Sequence, residues 1–268
     1  MRCLKLAFII FSLLCLIPAR ADLVLGSAPR DTKEREEEIY KPLADFLTKV
    51  AGQKVTFRHG NNFPIYQSEM RKGNYDIIFD GPHFVAWRMA KMGHVPLVKL
   101  PGKLEFVLVV KKDRDGIKTL KDMIGRTVCA FPPPNLSTLA VLSKFDDPAR
   151  QPQTVGTESF PESYKKMVAD KCVGAILQKK LFEDLEKEKQ AGKVVFTSKP
   201  FPNQAFTAGP KLSPELRAKI VNALLSPEGL EASSKMRAAF KAPTLEAASE
   251  EEYRDLKYLL RNQRGFEL

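Results

Sequence analysis

The chain has 268 residues, 44% of them hydrophobic and 28% charged, and a formal net charge of +11. That length holds one or two globular domains with a sizeable core. The charge is spread through mixed blocks such as Lys33–Glu38 and Glu183–Lys189, with no basic stripe and no nucleic-acid motif, which excludes a nucleic-acid partner.

Residues 1–21 read as a secretory signal peptide. Arg2 and Lys5 supply its charged start, Leu6–Ile17 its apolar run, and Ala19-Arg20-Ala21 a small-x-small cleavage site. A lipoprotein site at Cys15 is the alternative, with Leu14 bulky for that role. The run is too short to span a membrane, and no later apolar stretch is long enough. Cleavage removes Arg2, Lys5 and Arg20 and lowers the formal charge to +8. Cys129 and Cys172 then remain in an oxidising compartment. A disulfide is the natural reading, and two buried free thiols are the alternative. Their number and spacing exclude a CxxC redox site or a zinc site, and no metal or cofactor is expected.

The mature part opens with Leu23–Pro29, a strand ended by Gly and Pro. Lys33–Val50 reads as a helix with Ile39, Leu43, Phe46 and Leu47 on one face, stopped by Gly52. Lys54–Phe57 is a second strand, Phe63–Lys72 a helix, and Ile77–Asp80 a short buried strand. Gly81-Pro82 breaks that strand, and an apolar helix runs from His83 to Met92. Strands alternating with helices predict a parallel sheet, in which ligands sit just past the carboxyl ends of the strands. Leu104–Val110 is a long β-rich strand suited to cross between domains. A second series follows: helix Gly116–Gly125, strand Thr127–Phe131, helix Leu136–Phe145, strand Gln153–Thr157, helix Pro161–Ala169, strand Val173–Leu177, helix Lys180–Ala191 and strand Lys193–Thr197. Gln204–Ala208 reads as a returning strand. From the N-cap Ser213 the chain is helical to Leu260, with breaks near Ser226–Gly229 and Ala242-Pro243.

The expected fold class is therefore α/β with two lobes. Residues 22–111 and 204–268 form lobe 1, and residues 112–203 are inserted as lobe 2. Two crossings make a hinge and a cleft between them.

Four pieces carry a resemblance: Gly73-x-x-Asp76-Ile-Ile-Phe-x-Gly81-Pro82, Leu120-Lys-Asp-x-x-Gly125-Arg-Thr-Val-x-Ala-Phe131, Lys171-x-Val-Gly-Ala-Ile176 and Leu212-Ser-Pro-Glu-Leu216. In this order they resemble the periplasmic substrate-binding proteins of phosphate, phosphite and phosphonate ABC transporters, across essentially the whole mature chain. The resemblance implies a type 2 periplasmic binding fold with parallel-majority sheets flanked by helices, a ligand cleft between the lobes and a periplasmic location. Family members that bind phosphonates hold the anion with a Ser-Thr-Ser-Gly run at a helix start, through hydroxyls and backbone N–H groups. Here Ser137 and Thr138 remain, Leu136 replaces the first hydroxyl, Leu139 replaces the glycine, and Pro132–Pro134 remove donors upstream. The family's Tyr after the second strand is Phe63, its Tyr after Gly-Pro is replaced around His83–Val85, and its acidic residue after the Val173–Ile176 strand falls at Leu177-Gln178.

Candidate ligand residues follow. Asp80 ends an apolar strand, where the family usually has an apolar residue; it reads as a contact to a cationic or hydroxylated ligand, or as an Asx-type turn cap. His83 reads as a pH-sensitive donor to an anion, or as a backbone-bonded histidine. Asn62 and Phe63 lie at the cleft mouth, or Asn62 caps its helix. Ser137 and Thr138 face the cleft, or serve as ordinary helix caps. Gln178 completes the set. His59 and His94 read as surface residues and Trp87 as core packing.

The function expected is an exported solute-binding protein that closes on a small ligand, such as a phosphonate- or phosphate-like anion, with a carboxylate or a small organic molecule left open, and presents it to the membrane permease of an ABC importer. The alternative is a ligand-sensing or ligand-free periplasmic adaptor for a membrane sensor kinase or cyclase; the ligand-free form predicts a cleft filled by side chains. A monomer is expected. No Gly-x-Ser-x-Gly elbow, His-Glu-x-x-His motif or P-loop is present, so an enzyme is not.

Overall fold

A computed structural model describes residues 21–267. The expected signal peptide lies outside the described residues except for Ala21. In chain order the elements are β1 (Leu23–Ser27), α1 (Lys33–Ala51), β2 (Val55–Arg58), α2 (Phe63–Arg71), β3 (Ile77–Asp80), α3 (Pro82–Met92), β4 (Val95–Lys99), β5 (Lys103–Leu104) and β6 (Phe106–Lys111). Then come β7 (Thr127–Ala130), α4 (Leu136–Leu142), β8 (Gln153–Gly156), α5 (Phe160–Val168), β9 (Gly174–Gln178), α6 (Lys179–Lys189), β10 (Gly192–Thr197), β11 (Phe201–Pro202) and β12 (Ala205–Ala208). The chain ends with α7 (Pro214–Leu225), α8 (Pro227–Ala232), α9 (Ser234–Ala239), β13 (Glu246–Ala247), α10 (Glu250–Tyr253) and a 3-10 segment, Arg254–Leu260.

The first sheet has the order β13-β4-β12-β3-β1-β2, with β1 parallel to β2 and β3, and β12 returning antiparallel between β3 and β4. Side chains alternate across it. Ile77 and Phe79 join Leu25 and Phe206 against Leu43 and Leu47 of α1 and Ile220 and Leu224 of α7. Ile78 points the other way, into the layer of Tyr66, Met70, Phe84 and Trp87. Asp80 shares the parity of Ile78, so the period of the strand carries its carboxylate into that layer, among α2 and α3.

The second sheet has the order β10-β6-β9-β7-β8. Its strands are covered on both faces: Leu108, Val110, Val128 and Ile176 on one, Val107, Val109, Ala175 and Leu177 on the other. This corrects the expected lobe boundary. β6 pairs with β9 and β10 and belongs to the second sheet, so that sheet begins at Phe106 and not after residue 111. The β-rich run splits at Glu105. Its first part, β5, pairs with β11 in a two-stranded ribbon where the chain crosses between the sheets. The expected helix Gly116–Gly125 is reduced to the 3-10 turn Leu120–Met123, closed by Thr119 and Asp122.

Cys129 and Cys172 form a disulfide with Cα atoms 5.7 Å apart, tying β7 to the turn before β9. The lobes also meet through apolar contacts of α4. Leu136 and Ala140 pack with Phe106, Phe201, Leu256 and Leu259, and Leu139 joins Phe84 and Leu260. The 3-10 segment thus bridges α3 of one lobe and α4 of the other. Among the described residues, no helix is long and apolar enough to cross a membrane.

Candidate functional site

A cleft of about 810 Å³ opens between the two sheets. Lobe 1 lines it with Ala28–Arg30 after β1, Phe63, Pro64 and Gln67 of α2, and Gly81–Phe84 after β3. Lobe 2 contributes Phe131–Leu136 after β7, Glu158 and Phe160 after β8, and Gln178 after β9. Leu104, Phe106 and Gln204, at the crossings, complete it. The lining therefore gathers at the carboxyl ends of parallel strands, where strand order leaves a crevice.

Phe63 and Gln178 occupy the cleft wall as the sequence suggests. Phe63 is half-buried, its ring 6.1 Å from that of Phe84. Gln178 sits at the N-cap of α6 without a side-chain cap bond, so its amide is not spent on the helix. Asn62 is exposed and caps α2, its Oδ1 accepting from the Ile65 N–H at 2.9 Å.

Three expectations need correction. Asp80 does not reach the cleft, nor does it cap a turn. It is fully buried: Arg88 Nη1 and Nη2 donate to its two oxygens at 2.7 and 2.8 Å, and the Tyr66 hydroxyl donates to Oδ2. Arg88 lies two turns along α3 on the face turned towards β3. Its Nε and Nη2 also donate to Thr207 Oγ1 at 3.2 and 3.0 Å. Burial and the Asp80 carboxylate together hold the Tyr66 phenol protonated, well above its usual range.

Ser137 and Thr138 are fully buried and turned away from the cleft. Asn135 is the N-cap of α4; its Oδ1 accepts from the Ser137 N–H at 3.0 Å and from the Ser137 hydroxyl at 2.8 Å. The Thr138 hydroxyl donates to the Phe131 carbonyl at 2.6 Å. Both hydroxyls fix the 131–135 loop, and the cleft surface there is Asn135, Leu136 and three prolines.

His83 lies in the wall, buried, and its Nε2 donates across the cleft to the Pro134 carbonyl at 2.9 Å. Burial lowers its pKa to about 4, against the opposing pull of Asp80 and the Pro134 carbonyl. Of the two readings of His83 this is the backbone-bonded one, a neutral interlobe tie at neutral pH. Its fold-back needs Gly81: a Cβ there would lie 2.8 Å from His83 Cε1. Nδ1 is buried with no hydrogen-bond partner among the described residues.

His59 and His94, read as surface residues, are interior. His59 Nδ1 lies 2.8 Å from Glu36 Oε2, and Glu36 Oε1 accepts from the Arg30 N–H at 2.7 Å. This pair holds the turn that puts Arg30 at the cleft edge. His94 Nδ1 meets Thr207 Oγ1 at 3.1 Å; burial first, then Arg88 and Arg217, depress its pKa to about 3. Trp87 is in the core, as expected.

Sequence reasoning missed Arg30, Gln67, Phe131, Glu158, Phe160 and Gln204. Phe131 and Phe160 carried a usable signal, since each ends or follows a strand predicted to point its carboxyl end at the cleft. Arg88 was signalled by its own oddity, an arginine in an apolar helix that follows a strand ending in aspartate.

A family model described as "ABC transporter, phosphonate, periplasmic substrate-binding protein" matches residues 25–253. The chain belongs to this family. A curated relative, the phosphate-import protein PhnD of Mycolicibacterium smegmatis, is 28% identical over 125 residues, 43% of this chain. The match spans 38% of that relative's own length. Among solved structures, XAC2383 from Xanthomonas citri bound to ATP superposes with a TM-score of 0.70 at 15% identity, covering 89% of this chain and 95% of that one. PhnD1 from Prochlorococcus marinus in complex with methylphosphonate gives 0.65 at 12% identity, covering 90% and 97%. These structural likenesses establish the two-lobed fold.

The family is one of substrate-binding transport proteins rather than enzymes. Against that background the cleft is short of anion donors. Its charged lining residues are Arg30 and Glu158, one of each sign, both exposed. Among the described residues, no group of three or more His, Cys, Asp or Glu side chains could hold a metal.

Proposed function

We propose that this chain is the exported solute-binding component of an ABC importer, holding a small organic solute in the interlobe cleft and delivering it to a membrane permease. The open cleft at the strand ends, in a chain of this family, carries the reading. A ligand-free adaptor predicts a cleft filled by side chains, and the 810 Å³ of space between the lobes speaks against it. Family membership and the signal-peptide pattern of residues 1–21 together support a periplasmic location. The relatives named for phosphate and methylphosphonate support a solute with a phosphonate-like anionic group, for which Arg30 is the cation at the cleft edge. Binding would close the two lobes about the crossings at β5 and β11 and remove the solute from water.

The test is a thermal-shift screen of residues 22–268 with phosphate, methylphosphonate, larger organophosphonates, sulfonates and carboxylates. A ligand bound only by the folded state raises Tm by an amount that grows with its concentration over Kd. A saturable shift, lost in Gln178→Ala, is the expected result. No shift with any class would overturn the reading.

A further inference from the structure

The cleft wall is aromatic where an anion cradle would have to be. Phe131 packs edge-on to Phe160, their rings 5.0 Å apart at 88°, and apart from this contact Phe131 belongs to none of the buried apolar clusters of the described residues. A half-buried phenylalanine that supports no core and lines a cleft has its free face available to a ligand. Phe63 stands in the facing wall of lobe 1, also half-buried. The same cleft is lined by the amides Gln67, Asn135, Gln178 and Gln204.

The hydroxyls that the resemblance assigns to an anion cradle are not offered to the cleft. The hydroxyls of Ser137 and Thr138 are spent inside the 131–138 loop, prolines fill positions 132–134, and Glu158 balances Arg30. We infer that the cleft contains a ring-binding subsite formed by Phe63, Phe131 and Phe160, with Gln178 and Gln204 reading the polar edge of the ring. Its ligand is a planar aromatic or heteroaromatic solute whose ring, rather than its anionic group, supplies most of the affinity. Stacked and edge-to-face aromatic contacts in a largely apolar cleft bind through buried area with a few oriented polar groups. This inference rests on the reading of the cleft as the solute site.

Calorimetric titration of residues 22–268 with four probes tests it: inorganic phosphate, methylphosphonate, phenylphosphonate and benzamide. Phenylphosphonate should bind at least about tenfold more tightly than methylphosphonate, since the added ring buries apolar area. Benzamide, uncharged, should bind detectably at millimolar concentration. In Phe131→Ala the advantage of phenyl over methyl should disappear while any methylphosphonate affinity is retained. Methylphosphonate or phosphate binding as tightly as phenylphosphonate in the unaltered protein would overturn the ring subsite and leave the solute-binding reading intact. Failure of all four probes would overturn the ring subsite, and the wider screen above would then decide the solute-binding reading separately. The comparison among probes needs no variant, so it stands even if Phe131→Ala does not fold.

Discussion

Two buried histidines should make this protein acid-sensitive over a defined range. His83 and His94 have pKa values lowered by burial from 6.5 to about 4 and about 3. His94 faces the hydroxyl of Thr207, which already accepts from Arg88, so that hydroxyl donates to Nδ1 and a proton on His94 would have no acceptor there. Both residues are therefore neutral in the folded state and protonated in the unfolded chain at mildly acid pH. Their neutral forms support folding fully above pH 6.5, and that support is lost as pH falls towards 4 and 3. At pH 5 an unfolded histidine is almost fully charged while both folded ones remain neutral. Lowering the pH from 7 to 5 should therefore cost about 2 kcal/mol for each histidine, about 4 kcal/mol together. That is a large part of an ordinary domain's stability, which is about 5–15 kcal/mol. The assay is urea unfolding at pH 7 and pH 5 of the unaltered protein, His83→Gln and His94→Gln. Glutamine can keep the bond to the Pro134 carbonyl or to Thr207 without titrating. Each variant should lose about half of the pH dependence of the unaltered protein. A change below about 1 kcal/mol between the two pH values, or variants that keep the full dependence, would refute the reasoning.

Other expectations follow from single contacts. Arg88→Met strands the buried Asp80 carboxylate and should cost about 3–5 kcal/mol by urea unfolding, while the double variant Asp80→Leu/Arg88→Met should recover most of it. The Cys129–Cys172 bond joins residues 43 apart. Its reduction should cost about 4 kcal/mol through loop entropy, seen as a fall in Tm with dithiothreitol that a Cys129→Ser/Cys172→Ser variant does not show. Leu139→Ala removes a buried side chain from the interlobe cluster and should cost about 2–5 kcal/mol, with a changed Trp87 emission because both residues share that cluster.

The architecture was legible in the sequence where local signals agreed. Gly52 ends α1 with φ of 66°, Ser213 caps α7, and Gly81-Pro82 separates β3 from α3. Asp76, part of the clearest motif, accepts from the Val24 N–H at 2.8 Å and so joins β3 to β1. The site was less legible because position along the chain does not give side-chain direction. Asp80 looked like a cleft residue by proximity to Gly-Pro; strand parity turned it beneath the cleft, and its partner Arg88 lies in the next helix. Ser137 and Thr138 matched a ligand-binding pattern in type, but Asn135 took the capping role and bonds the Ser137 hydroxyl, while the Phe131 carbonyl accepts from the Thr138 hydroxyl. Histidines 59 and 94 acquired partners 23 and 113 residues away, distances at which no local pattern reports.

The sequence departures at 132–139 and the structure around them have one physical explanation. A chain that keeps a Gly and three hydroxyl positions at the start of α4 keeps open backbone N–H groups for an anion. With Leu136 and Leu139 in those places, the same surface gains apolar area, and the 3-10 segment Arg254–Leu260 covers it from the other lobe. In this structure the start of α4 joins the two lobes through these apolar contacts. His83 does the same at the opposite wall, spending its N–H on the Pro134 carbonyl. What these ties leave free in the cleft are aromatic faces, amides and the exposed Arg30 and Glu158.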